Sequence, residues 1–268
     1  MRSPTKAASK LVSNELSWEV PFIYVQTAIA QGHYQEPLVG DALRDVFKNG
    51  SLKRGDIYDL TIMLYDPSAP LATQIHTSVA SSLRNLRPND TSEKDAYIDC
   101  LLLHSPLPTI DQTLEAWKTL ESYVPHKIRT LGISNTTLQI LQAIHDASNI
   151  KPAVVQNRFY PQTNYDVPLR SFCDQHDITY QSFWTLTGNR HLLESEVVKH
   201  CAGAVGVAAV SKHVALYALV MDLGIVMLNG TTSAKHMGED IRDVREFAMS
   251  HEKEQERIRN EFRKGIEK

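Results

Sequence analysis

The sequence has little of what would staple a chain covalently, anchor it in a membrane or charge it for a polyanion. Its 268 residues include three cysteines, Cys100, Cys173 and Cys201, too few and too scattered for a disulfide framework, and no CxxC pair. That usage fits a reducing compartment. Lys and Arg total 28 against 31 Asp and Glu, a formal net charge of -3, so the electrostatic footprint of a nucleic-acid binder is missing. The most apolar stretch, residues 214–228, is broken by Asp222 and Gly224 and reads as a buried helix followed by a strand rather than a membrane span. Residues 1–10 are basic and small but lead into Leu11-Val12-Ser13-Asn14-Glu15 without an apolar core. No secretory signal is therefore expected, and the chain reads as cytoplasmic. No Pro- or Gly-rich linker divides the sequence, so one domain is the default at this length. A Walker loop, a GxSxG elbow, an HExxH pair and a Cys/His cluster are all lacking, which leaves phosphoryl transfer, acyl transfer and metal chemistry without support.

What the sequence does have is a rhythm of short apolar runs alternating with amphipathic segments. Strand-like runs cover residues 22–27, 57–64, 97–104, 128–133, 153–156, 178–183 and 225–228. Helical patterns lie between them at 36–48, 71–86, 114–123, 137–147, 167–176 and 211–223, and a last helix starts near Ser233. Strands separated by single helices pair in parallel through right-handed crossovers. The strand-like runs end in polar residues: His104 after 97–103, Ser134-Asn135 after Leu131-Gly132-Ile133, and Gln156-Asn157 after Val154-Val155. Polar groups delivered at strand C-terminal ends are the active-site arrangement of a βα-barrel. The fold class expected is α/β, of the (β/α)8 TIM-barrel type. Seven βα strands are counted rather than eight, so the barrel is expected to be incomplete at its N-terminal strand and at the loop after Met63. Residues 1–21 read as an N-terminal extension, 22–249 as the barrel, and 250–268 as a charged tail, solvated or frayed.

These strand ends resemble those of the aldo-keto reductase family: a His closing one strand, a Ser-Asn pair the next, a Gln the third. The resemblance runs from about Gln26 to Asp240 and implies an NADP(H)-dependent oxidoreductase acting on the carbonyl group of a small molecule. Reduction of a carbonyl needs a proton donor, because an alkoxide in a buried site is otherwise too unstable. In Gln26-Thr27-Ala28-Ile29-Ala30-Gln31-Gly32-His33-Tyr34-Gln35-Glu36-Pro37-Leu38-Val39-Gly40, Tyr34 matches the family's proton donor, and His104 matches its active-site histidine. Ser134, Asn135 and Gln156 match the residues that hold the nicotinamide carboxamide, and Phe183 the aromatic that stacks on the ring, with Trp184 its neighbour. After the final strand, Thr231, Thr232, Ser233, Lys235 and His236 stand where the family grips the adenosine 2'-phosphate, although Gly230 replaces the first Lys and His236 the Arg, and Glu239 is a further cofactor-binding position.

Two positions depart from the family pattern. Gln26 stands in place of its Asp and Ile62 in place of its Lys, and that ammonium is what lowers the tyrosine pKa toward working pH. The departures imply weakened proton transfer and leave open a catalytically silent binding protein, or an isomerase or dehydratase on the same scaffold. Asn157-Arg158-Phe159-Tyr160 and residues 182–187, Ser-Phe-Trp-Thr-Leu-Thr, resemble a branch of the family seen in fungi that includes members of secondary-metabolite pathways.

Overall fold

The computed structural model describes residues 23–28, 36–63, 69–89, 95–203, 210–229, 233, 236, 242–244 and 253–267, and every structural statement below concerns these. The chain divides into two compact units, one of residues 19–155 and one formed mainly by residues 156–268.

The first unit holds four strands, β1 (Ile23–Ala28), β2 (Ile57–Met63), β3 (Ile98–Leu103) and β4 (Ile128–Ser134), hydrogen-bonded in chain order. All pair in parallel, with Ile23 opposite Ile57, Leu60 opposite Cys100 and Leu103 opposite Ile133. Helices α1 (Glu36–Lys48), α2 (Leu71–Asn85), α3 (Ile110–Glu121) and α4 (Leu138–Ala147) alternate with the strands. All six β3 residues are buried, the mark of a parallel strand covered on both faces.

Local chemistry fixes these elements. Thr109 and Gln112 form a reciprocal capping box, the Thr109 Oγ1 accepting from the Gln112 N–H and the Gln112 Oε1 accepting from the Thr109 N–H, each at 3.2 Å. Helix α3 therefore starts at Ile110, four residues before its apolar periodicity becomes visible. Helices α1 and α2 approach so closely that a Cβ on Gly40 would lie 1.9 Å from the Asn85 carbonyl oxygen, which only glycine permits. Buried Glu36 joins the same contact, accepting from the Ser82 hydroxyl and the Asn85 amide at 2.9 Å each. At the start of β3, buried Asp99 accepts from Arg54 at 2.8 Å and Arg129 at 3.0 Å, and both guanidinium groups cover the Tyr97 ring, 3.9 and 3.7 Å from its centroid. A buried carboxylate is stable only with such partners.

The second unit holds β5 (Val154–Arg158), whose first two residues belong to the first unit, then β6 (Thr179–Phe183) and β7 (Val226–Met227) in that order. Its helices are α5 (Val167–Gln175), α6 (Arg190–Leu193), α7 (Glu196–Ala202), α8 (Lys212–Met221) and α9 (Lys253–Ile266). Residues Val214 to Val220 are all buried, as the apolar stretch there leads one to expect. No helix among the described residues is long and apolar enough to cross a membrane.

Three expectations need correction. Helices α6 and α7 lie in a stretch, 184–210, for which the apolar pattern gave no element. Strand β7 is only two residues long where 225–228 was expected. The charged tail is not solvated: α9 buries Ile258, Phe262 and Ile266 to 4% exposure or less, and Arg263 donates to both the carbonyl and the carboxylate of Asp222 at 2.9 Å. Three apolar residues at i, i+4 and i+8 suffice to dock a helix whose other faces are charged. Asp222 caps the C-terminal end of α8, where a carboxylate opposes the helix dipole. Arg259 and Arg263 offset that charge.

Candidate active site

In the first unit the register brings His104 and Ser134 to the same edge, since Leu103 and Ile133 are partners and each of the two polar residues follows immediately. Ser134 ends β4 with 1% exposure. Asn135 follows with a left-handed backbone, φ 52, and its Nδ2 donates to the His104 carbonyl oxygen at 2.8 Å and contacts the Ser134 Oγ at 3.2 Å. The asparagine therefore ties the ends of β3 and β4 together besides presenting its own carbonyl oxygen. The close approach continues below it: a Cβ on Gly132 would lie 2.4 Å from the Leu102 side chain and 2.5 Å from the Val154 carbonyl. The His104 side chain is exposed, yet partial desolvation of its ring lowers its pKa from the ordinary 6.5. At neutral pH it is an uncharged imidazole, able to donate from one ring nitrogen and accept at the other.

Tyr34 lies outside the described residues. Positions 26 and 62 are placed by backbone pairing alone, Gln26 opposite Leu60 and Ile62 opposite Ala28, on adjoining strands two steps apart.

In the second unit Gln156 is 2% exposed, and its Nε2 donates to the Oε1 of Gln181 on β6 at 3.0 Å. The residue after Gln156 and the residue before Gln181 alternate to the opposite face. There the Asn157 amide and the Tyr180 hydroxyl both donate to Asp166 Oδ2, at 2.7 and 2.9 Å. Burial, reinforced by the Asp166 carboxylate, raises the Tyr180 pKa well above the usual 10.0, so the hydroxyl stays a donor. Asp166 ends a run of three left-handed residues, Asn164, Tyr165 and Asp166. Arg170 Nε donates to the Tyr165 carbonyl at 2.9 Å and holds that run in place.

At the end of β6, Phe183 is half-buried and Trp184, with a left-handed φ of 59, is 54% exposed. The Arg158 guanidinium lies 4.4 Å from the Trp184 ring centroid and 5.8 Å from that of Phe183. Of the two neighbouring aromatics, Trp184 is the more accessible. Fully buried Asn189 fixes the loop that follows, donating to the Phe159 carbonyl at 2.6 Å and the Thr185 carbonyl at 3.0 Å.

At the expected phosphate end, Ser233 Oγ accepts from the His236 N–H at 3.3 Å, as a residue capping a helix start does. His236 is exposed. Thr231, Thr232, Lys235 and Glu239 lie outside the described residues. Among the described residues no cluster of His, Cys, Asp or Glu could hold a metal ion.

The residues present fit a nicotinamide cofactor chemically. A carboxamide needs donors for its oxygen and an acceptor for its NH2 group. In the first unit the Ser134 hydroxyl is a group of the first kind, and Asn135, whose Nδ2 is engaged by His104 and Ser134, carries an acceptor oxygen; in the second unit Gln156, whose Nε2 is engaged by Gln181, carries an acceptor of the second kind. Gln181, Asp166 and Asn189 were not anticipated from sequence. The one visible signal for Gln181 is a polar residue facing inward within an otherwise covered strand.

A model of the Aldo/keto reductase family matches residues 67–199, which include His104, Ser134, Asn135, Gln156 and Phe183. An aldo-keto reductase of Mycolicibacterium paratuberculosis is 33% identical over 111 residues, covering 41% of this chain and only 38% of the relative. Methylglyoxal reductase DkgA of Escherichia coli is 25% identical over 233 residues, 86% of this chain and 77% of that protein. The chain shares its fold with MGS-M4, an aldo-keto reductase from a deep-sea metagenome library, at a TM-score of 0.71 and 20% identity over 96% of this chain and 84% of that one. An aldo-keto reductase of Bombyx mori in complex with NADP superposes at a TM-score of 0.69 and 21% identity over 89% and 78% of the two chains. Residues 67–199 are similar in sequence to the Aldo/keto reductase family, and the backbone over most of the length has the fold of solved aldo-keto reductases.

Proposed function

We propose that this chain is an NADP(H)-dependent reductase of a small-molecule ketone or aldehyde, acting in the cytoplasm. The observation that carries the reading is Gln156 held against Gln181 within the second unit; in the first unit the strand-end residues His104, Ser134 and Asn135 are of the types that resemble the family's. When bound, the cofactor would supply the hydride. Ser134, Asn135 and Gln156 orient the carboxamide and with it the face of the ring, on which hydride transfer depends. His104, neutral at working pH, donates a hydrogen bond that positions and polarises the carbonyl oxygen. Tyr34 gives the proton. Ser233, with Thr231, Thr232, Lys235 and His236, serves the adenosine phosphate, and Glu239 another part of the cofactor. The likeness of residues 157–160 and 182–187 to a fungal branch supports a secondary-metabolite precursor as substrate.

A second reading, a cofactor-binding family member with little catalysis, draws on Ile62 and Gln26. Without an ammonium beside it, a tyrosine near pKa 10 is a weak acid at neutral pH, and the proton-transfer contribution at stake is on the order of 10²–10⁴-fold. Turnover of a generic aldehyde by the natural chain, Tyr34→Phe and the double variant Gln26→Asp with Ile62→Lys separates the two. The reductase reading expects measurable turnover, its loss in Tyr34→Phe and a gain in the folded double variant. No turnover in any of the three supports the silent reading.

A further inference from the structure

Gln156 has two chemically different ends, and which one faces a ligand decides what it recognises. A buried primary amide that is free to turn would present its donor as readily as its acceptor. In this protein the choice is made by a neighbour. Gln181, 1% exposed on β6, turns its Oε1 toward Gln156 and accepts from Nε2 at 3.0 Å. Both side chains lie on one face of their strands. On the opposite face Asp166 accepts from the flanking residues of the same two strands, Asn157 and Tyr180, which holds β5 and β6 in the register that lets the glutamines meet.

We propose that Gln181 is a positioning residue: by engaging the Gln156 Nε2 it sets Oε1 as the end that meets a ligand, and so selects a carboxamide NH2 over a carboxylate or a carbonyl. This rests on the reading that Gln156 serves the nicotinamide. Its consequence is specific. Gln181 influences affinity only for ligands that carry the carboxamide, and only through Gln156. A merely structural role would weaken every cofactor fragment alike.

The test is equilibrium binding to the full-length protein of two probes, NADPH and adenosine 2',5'-bisphosphate, which has the phosphates and adenosine but no nicotinamide. Gln181→Met keeps the volume and removes the acceptor. It is expected to weaken NADPH about 3- to 10-fold, the worth of one ordinary hydrogen bond, with the bisphosphate unchanged. In a Gln156→Ala background the same substitution is expected to add nothing. Gln181→Glu, which can only accept once ionised, is expected to retain the NADPH affinity at alkaline pH, and it decides the matter alone if the Met variant does not fold. The proposal is overturned if Gln156→Ala weakens NADPH while Gln181→Met does not, if Gln181→Met weakens both probes equally, or if Gln181→Glu at alkaline pH binds NADPH as poorly as Gln156→Ala. A different result, NADPH binding unaffected by Gln156→Ala, overturns the underlying assignment of Gln156 and the proposal with it.

Discussion

Asn135 combines a left-handed backbone, φ 52, with a side chain that ties β3 to β4, and these two properties separate under substitution. Glycine keeps the backbone conformation at no steric cost, whereas alanine is strained there by about 1 kcal/mol and loses the tie as well. Urea denaturation is expected to find Asn135→Ala less stable than Asn135→Gly by about 1 kcal/mol; equal stabilities would mean that the backbone is not held left-handed in solution. Asn135 and His104 were legible in the sequence because a polar residue directly after an apolar run marks a strand end, and the chemistry of a strand end is local. Gln181 and Asp166 were not legible. Each matters through a partner on another element, Gln156 and Tyr180, and the periodicity of one strand does not say which residue of the next lies opposite. Trp184 shows a further limit: composition puts an aromatic inside, but its left-handed backbone at the end of β6 leaves it 54% exposed.

Among the elements, the parallel strands and the helices between them followed from apolar periodicity, and α1 was delimited in full by its helical pattern over 36–48. The start of α3 was not, because the capping box of Thr109 and Gln112 extends the helix ahead of its apolar stripe. Helices α6 and α7 are too short to establish a period; the local evidence for α7 is the cap at Ser195, whose Oγ accepts from the Val198 N–H at 3.3 Å, and α6 has no side-chain cap. Helix α9 is the instructive failure. Its charge hid a three-residue apolar stripe, and that stripe with the Arg263–Asp222 pair makes the terminal helix part of its unit. Phe262, 4% exposed, is accordingly expected to cost about 3–5 kcal/mol on replacement by alanine. Thermal or urea unfolding measures this, and a change under about 0.5 kcal/mol, the range of surface substitutions, would show the helix undocked in solution.

For the molecule as a whole, buried titratable groups bound the pH range of stability. Partial desolvation lowers the pKa of the exposed His104 from 6.5, so the unfolded chain takes up protons first and stability declines slightly as pH falls below 6.5. Burial pushes the Cys173 and Cys201 thiols from 9.0 up to about 12 and raises Tyr180 well above 10.0. Here the unfolded chain ionises first, so their contribution is complete below pH 9 and is lost as the pH climbs toward 12. The melting temperature is expected to be flat between about pH 7 and 9 and to fall on both sides, and a rise between pH 9 and 11 would contradict the burial of these groups. The central claim is that the proposed carboxamide residues are kept although Gln26 and Ile62 depart from the family pattern. Fluorescence titration of the full chain with NADPH tests it most directly. The account predicts saturable binding that Gln156→Ala weakens by about 3- to 10-fold, one hydrogen bond's worth, whereas no binding of NADPH or NADH at millimolar concentration would contradict it.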